Sequence, residues 1–142
     1  MPALTSSPQT YRVFITVYKS PTPPDRADTR HAGLFFQSPG SNVMYHIVED
    51  PRRGWKVDEY SHHNPAMNIG HVELGNISLV VDELHRLMKS VPLDQNPEPG
   101  TSNSQAWVDK ALAVLKKEGY ITDGDYNRAV NKMIDIALQD QE

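Results

Sequence analysis

The sequence predicts an α+β domain: an antiparallel sheet of about four to six strands, with helices that follow in the chain and pack on it. Two observations point there. The first half of the chain carries short aromatic and β-branched runs, cut by clusters of proline, glycine, serine and asparagine. From about residue 79 the apolar residues fall into a helical period and stay in it. Strands and helices do not alternate, which argues against a doubly wound parallel sheet.

Residues 1–10, MPALTSSPQT, are polar and carry two prolines, and read as a flexible lead-in to a single domain over residues 11–142. YRVFITVY, residues 11–18, is the first strand. KSPTPPDRADTR is a proline-rich charged loop. HAGLFFQ (residues 31–37) and VMYHIVED (residues 43–50) flank the turn cluster SPGSN and predict a hairpin. GWKVDEYS adds a fourth strand and HVELGNIS, residues 71–78, a fifth.

The first helix stripe is Leu79, Val81, Leu84, Leu87 and Met88. After the loop PLDQNPEPGTSN, a second stripe holds Trp107, Val108, Ala111, Leu112 and Leu115, with Gly119 as the residue that ends the helix. The third helix opens on an aspartate cap and carries Ala129, Met133, Ile136 and Ala137.

Composition narrows the function classes. The formal net charge of -4 gives no electrostatic footprint for nucleic acid or an anionic membrane. No apolar run approaches the ~18 residues of a membrane span. The N-terminus lacks a signal-peptide core, so the cytoplasm is the expected compartment. With no cysteine, disulfides, thiolate zinc sites and cysteine catalysis are excluded. GxGxxG, GxxxxGK[ST] and GxSxG patterns are absent, and no cofactor is expected. His62, His63 and His71 lie in SHHNPAMNIGH, but no metal-ligand spacing accompanies them. Adjacent histidines point to opposite sides of an extended chain. No metal site is predicted; the segment reads as a loop beside a pocket, with Asn64 and Asn68 as hydrogen-bonding groups.

Three residues carry a possible chemistry. His31 opens one strand, His46 lies on its neighbour, and Ser104 sits at a helix start. A helix N-terminus presents unpaired N–H groups and the positive end of the macrodipole, which favours negative charge developing there. A histidine beside it can take a nucleophile's proton, and a polar group behind that histidine can fix its tautomer.

The pattern RHAGLFF…VMYHIVED…NSQAWVDKALAVL resembles the circularly permuted papain-like fold, whose relatives include lecithin-retinol acyltransferases, PPPDE peptidases and NlpC-type peptidases. It is also similar to small fungal proteins with an Asn-Cys-Gln…Trp helix. The resemblance spans residues 11–119 in element order and implies His31 as general base, His46 as orienting group and position 104 as nucleophile. Those families place cysteine where this chain has Ser104. Three readings follow: an engineered change, a natural pseudoenzyme, or a serine enzyme. The expected function is a small hydrolase or acyltransferase, or an inactive relative, acting on an acyl, amide or small-metabolite substrate. Tyr45, Asn103, Gln105 and Trp107 are the expected substrate-binding residues.

Plainer roles are open to the same residues. Ser104 can be a helix cap, since Thr101–Ser104 is rich in cap formers. Trp107 can be a core anchor. The alternative functions are a non-catalytic module that binds a small molecule or peptide, and an acid–base enzyme of cyclase or isomerase type using His31 alone. Trp55, between Gly54 and Lys56, reads as a partly exposed aromatic at a ligand or partner surface.

Overall fold

The computed structural model describes residues 7–21, 23–60, 68–97 and 102–139. Five strands, β1 (Gln9–Tyr18), β2 (His31–Ser38), β3 (Ser41–Asp50), β4 (Gly54–Tyr60) and β5 (Asn68–Leu79), precede three helices, α1 (Val81–Ser90), α2 (Asn103–Lys117) and α3 (Asp123–Leu138). The strands form one antiparallel sheet in the order β4-β3-β2-β1-β5. The α+β class is the one the sequence predicts.

Period-2 alternation separates the two faces of this sheet. Tyr11, Val13, Ile15 and Val17 on β1, Ala32, Leu34 and Phe36 on β2, and Val43, Tyr45 and Ile47 on β3 face one way and are buried. The helices cover that face with Leu84, Leu87, Met88, Trp107, Ala111, Leu112 and Met133. The opposite face carries a smaller cluster of Tyr18, Phe35 and Met44, with Phe14 against it. His31 and His46 belong to this second face by alternation.

Local chemistry sets the ends of the elements. Ser38 pairs with Ser41 across Pro39 and Gly40, and Gly40 takes the positive φ (80°) that such a two-residue turn needs. The C-terminus of α2 is a Schellman motif. Tyr120 N–H donates to Leu115 O and Gly119 N–H to Lys116 O, with Gly119 at φ 84°, which bears out its expected role.

Several boundaries differ from the expectation. β5 begins at Asn68 and not at His71, so Asn68 opens a strand and does not lie in a loop. β1 begins at Gln9, so the end of the lead-in joins the sheet by pairing Gln9 with Leu79 and Thr10 with Ser78. Leu79 is therefore the last residue of β5 and not the first of a helix stripe; α1 starts at Val81. Thr122, not an aspartate, caps α3, its Oγ1 accepting from Asp125 N–H at 3.0 Å. Ser102, not Ser104, caps α2, accepting from Gln105 N–H at 3.3 Å. His62, His63 and Asn64 lie outside the described residues.

Candidate active site

At the start of β2 the sheet meets the N-terminus of α2. Between them lies a cleft of about 340 Å³, lined by residues that include His31, Trp55, Asn103 and Ser104. His31 and Ser104 thus border the same space, although they come from opposite faces of the sheet.

Behind His31 runs a chain of hydrogen bonds. His31 Nε2 lies 2.9 Å from His46 Nδ1. His46 Nε2 lies 2.9 Å from Asp58 Oδ2. The two rings meet edge to face, 84° apart. The Asp58 carboxylate accepts the hydrogen bond from His46 Nε2–H. A neutral His46 then presents a lone pair at Nδ1, and His31 donates from Nε2. That leaves the lone pair of His31 on Nδ1, which has no partner among the described residues. Burial, with repulsion from His46, pushes His31 down to about 4, so its imidazole is neutral at pH 7.

Ser104 is held differently. Its Oγ accepts from Ala32 N–H, the residue after His31, at 3.1 Å. It also lies 3.1 Å from Ser102 Oγ. Ser102 spends its own proton on Arg30 O at 3.1 Å, so the Ser104 hydroxyl donates to Ser102. No hydrogen bond joins Ser104 to His31 among the described residues. With Ser102 in the cap position, Ser104 lies in the first turn of α2, near the N–H groups that an α-helix leaves unpaired.

The four expected substrate-binding residues separate. Asn103 lines the cleft, and its Nδ2 donates to Asp94 O at 3.1 Å. Tyr45 does not: it is fully buried under α1, with Oη 2.5 Å from His85 Nδ1. Tyr45 and His46 are neighbours on one strand and must face opposite ways. Gln105 ties α2 to the loop between β1 and β2 by donating to Ala27 O and Arg30 O, both at 3.0 Å. Trp107 is 1% exposed and fills the core. Among the described residues no group of three or more His, Asp or Glu side chains is placed to hold a metal ion.

Two residues that sequence reasoning did not place in the site complete it. Asp58 ends the histidine chain; a hairpin centred on residue 52 puts it opposite His46, so its place was implicit in the turn DPRRG. Arg30, immediately before His31, is 2% exposed. Its guanidinium grips Asp25 with two hydrogen bonds, 2.9 and 2.7 Å long. It also donates to Ile136 O and Ala137 O near the end of α3. The arginine holds the Asp25 carboxyl well below the usual carboxylate range. Its own carbonyl accepts from Ser102 and Gln105, so this one residue fixes both the entry to β2 and the start of α2.

The fold and geometry define an α+β domain with a histidine–histidine–aspartate chain beside a helix N-terminus. The chain belongs to a family of unknown function, DUF6540, whose model matches residues 13–122. That stretch contains every residue of the cleft and of the chain behind it. Neither a curated protein nor a solved structure matches. Among the described residues no helix is long and apolar enough to cross a membrane.

Proposed function

We propose that the cleft is an acyl-transfer site of hydrolase or acyltransferase type, with Ser104 at the nucleophile position and His31 as its base. The chain His31–His46–Asp58 carries this reading, because it holds a neutral imidazole with its unprotonated nitrogen unengaged beside the cleft. Ser104 Oγ would attack a substrate carbonyl while its proton passes to His31 Nδ1. Unpaired N–H groups of the first turn of α2 would hold the oxyanion. The imidazolium would return the proton to the leaving group, and water or another acceptor would take the acyl group from Ser104. His46 and Asp58 keep His31 in one tautomer. The resemblance to permuted papain-like enzymes supports the same assignment.

The resting hydroxyl of Ser104 points its proton at Ser102, and His31 extends from the other face of the sheet, so attack requires both side chains to turn into the cleft towards each other. A thiol at this position would be better matched: Ala32 N–H and the helix start both favour a thiolate. A fluorophosphonate probe tests the proposal directly. It should label Ser104, and the label should vanish in Ser104→Ala and in His31→Ala. The Ser104→Cys protein should react with iodoacetamide well below the ordinary thiol pKa of ~8.5. Failure of both reactions would leave the pocket without nucleophilic chemistry. The engaged Ser104 hydroxyl favours, as the second reading, a cleft that binds a small molecule without turning it over.

A further inference from the structure

Trp55 lines the cleft, and its backbone is held by a side chain from another loop. Trp55 is the second residue of β4, an edge strand that opens on Gly54. Outward-facing backbone groups on an edge strand are normally left to water. Here Trp55 N–H donates to Gln95 Oε1 at 2.8 Å, and Gln95 Nε2 donates to Trp55 O at 3.1 Å. The carboxamide pairs with both backbone groups as one residue of a neighbouring strand would. Gly54 permits it twice over. Its φ of +84° suits glycine, and a Cβ there would collide with Gln95 Oε1.

This clamp is joined to the candidate active site. Asn103, the first residue of α2, donates to Asp94 O, next to Gln95. The loop from Asp94 to Pro97 thus links the helix that carries Ser104 to the strand that carries Trp55. Trp55 packs partly on the core and also lines the cleft, together with Pro21 and Pro97. The lining further includes Asp28, whose carboxylate pairs with Arg26 at 3.6 Å, and Arg30, whose guanidinium grips Asp25; these paired charges suit a neutral ligand. A volume of about 340 Å³ lies at the small end of ligand pockets and suits one compact group, not a folded partner.

We infer that Trp55, clamped by Gln95, is the recognition wall for an aromatic or flat apolar group on a neutral amide or ester. The placement of the substrate carbonyl at Ser104 rests on the acyl-transfer reading; the aromatic subsite does not. The proline and indole surfaces offer stacking and apolar contact, and the fixed backbone lowers the ordering cost of binding.

The test uses the full chain carrying Ser104→Ala, so that binding is read without chemistry. N-acetyl-L-phenylalaninamide and N-acetyl-L-alaninamide are titrated while the indole N–H of Trp55 is followed by NMR, with the buried Trp107 indole as internal reference. The aromatic amide should shift the Trp55 signal and bind at least about ten-fold more tightly than the alanine amide. Trp55→Ala should remove that preference. Gln95→Ala, which deletes only the clamp, should weaken the aromatic amide several-fold and serves where Trp55→Ala does not fold. An unmoved Trp55 signal, or equal binding of the two amides, overturns the inference. If the preference holds while wild-type Ser104 resists the fluorophosphonate, the acyl-transfer reading fails and the aromatic wall stands. If Ser104 is labelled but the preference is absent, the wall falls and acyl transfer stands.

Discussion

Strand β3 carries two hydrogen-bonded chains on adjacent residues, and they end very differently. On one face, His46 joins His31 to Asp58. On the other, Tyr45 joins His85, whose Nδ1 also lies 3.0 Å from Glu59 Oε2. The acidic partners, Asp58 and Glu59, are themselves neighbours on β4. In the second chain, phenol and carboxylate converge on the same nitrogen of His85, and Lys89 closes the group from α1 by pairing with Glu59. Such a network joins α1 to the sheet. In the first chain the two partners of His46 use different nitrogens, so the order of protons is set and one nitrogen of His31 is left over. A histidine in a network is therefore weak grounds for chemistry. Each chain leaves one histidine nitrogen over, and the place of His31 beside the cleft is what distinguishes the two.

Breaking each chain should separate them. The largest effect is expected from His31→Ala, which should slow fluorophosphonate labelling of Ser104 by about 10²–10⁴-fold, the usual worth of a general base. His85→Ala should leave the labelling rate unchanged, read on the same gel. Equal losses in the two variants would mean that the histidines act only through folding.

The next effect is on stability. His31 titrates at about 4 in the folded protein, held down by burial and then by His46, against 6.5 for an ordinary histidine. As pH falls from 6.5 towards 4, the unfolded chain binds a proton that the folded chain refuses. The favourable contribution is complete above 6.5 and shrinks through that window, by about 3 kcal/mol at most. Urea titrations at pH 7 and pH 4.5 should show wild type losing more stability than His31→Gln. Parallel losses would remove the case for a buried neutral imidazole.

The same contrast shows what the sequence could reveal. All five strand runs and all three helix stripes were legible, because alternation and helical period are written locally. The errors lie where an element changes type. Leu79 fits a helix stripe as well as a strand, and only its pairing with Gln9 decides. His31, His46 and Ser104 were legible as chemistry-bearing residues, and the structure brings the first two into contact and the third to the same cleft. Tyr45 and His46 cannot share one face, because adjacent strand residues point opposite ways, and the sequence alone excludes Tyr45 from a site that holds His46. Arg30 could not have been found: its side chain reaches Ile136 O, 106 residues away, and no local pattern marks such a partner. The role of Ser102 was hidden for another reason. Ser102, Asn103 and Ser104 are all competent caps, and backbone geometry picks one.

A smaller effect should follow from Asp58→Asn. The amide can turn its NH₂ towards His46 Nε2, which would reverse the proton order along the chain and place the proton of His31 on Nδ1. Asp58 is half-exposed and acts through an intervening imidazole, so labelling should fall by about ten-fold, less than for a buried triad aspartate. The pH dependence of labelling should also change, which a purely structural role of Asp58 would not produce. An unchanged rate and profile would shorten the working chain to His31 and His46.

The smallest effect is expected on the other face. Burial, reinforced by Glu59, keeps the Tyr45 phenol protonated far above the usual range. Tyr45→Phe removes one hydrogen bond, yet Glu59 still reaches His85 Nδ1. The vacated space is one oxygen atom, and the ring keeps its edge-to-face contacts with Phe36 and His85. Urea denaturation should therefore show a loss of about 1 kcal/mol, the net worth of one such bond. Labelling at Ser104 should be untouched, because the ring lies under α1 and not in the cleft. A fall in labelling that exceeds the loss of folded protein would show that the two faces of β3 communicate, and the division between a stabilising chain and a chemical one would have to be redrawn.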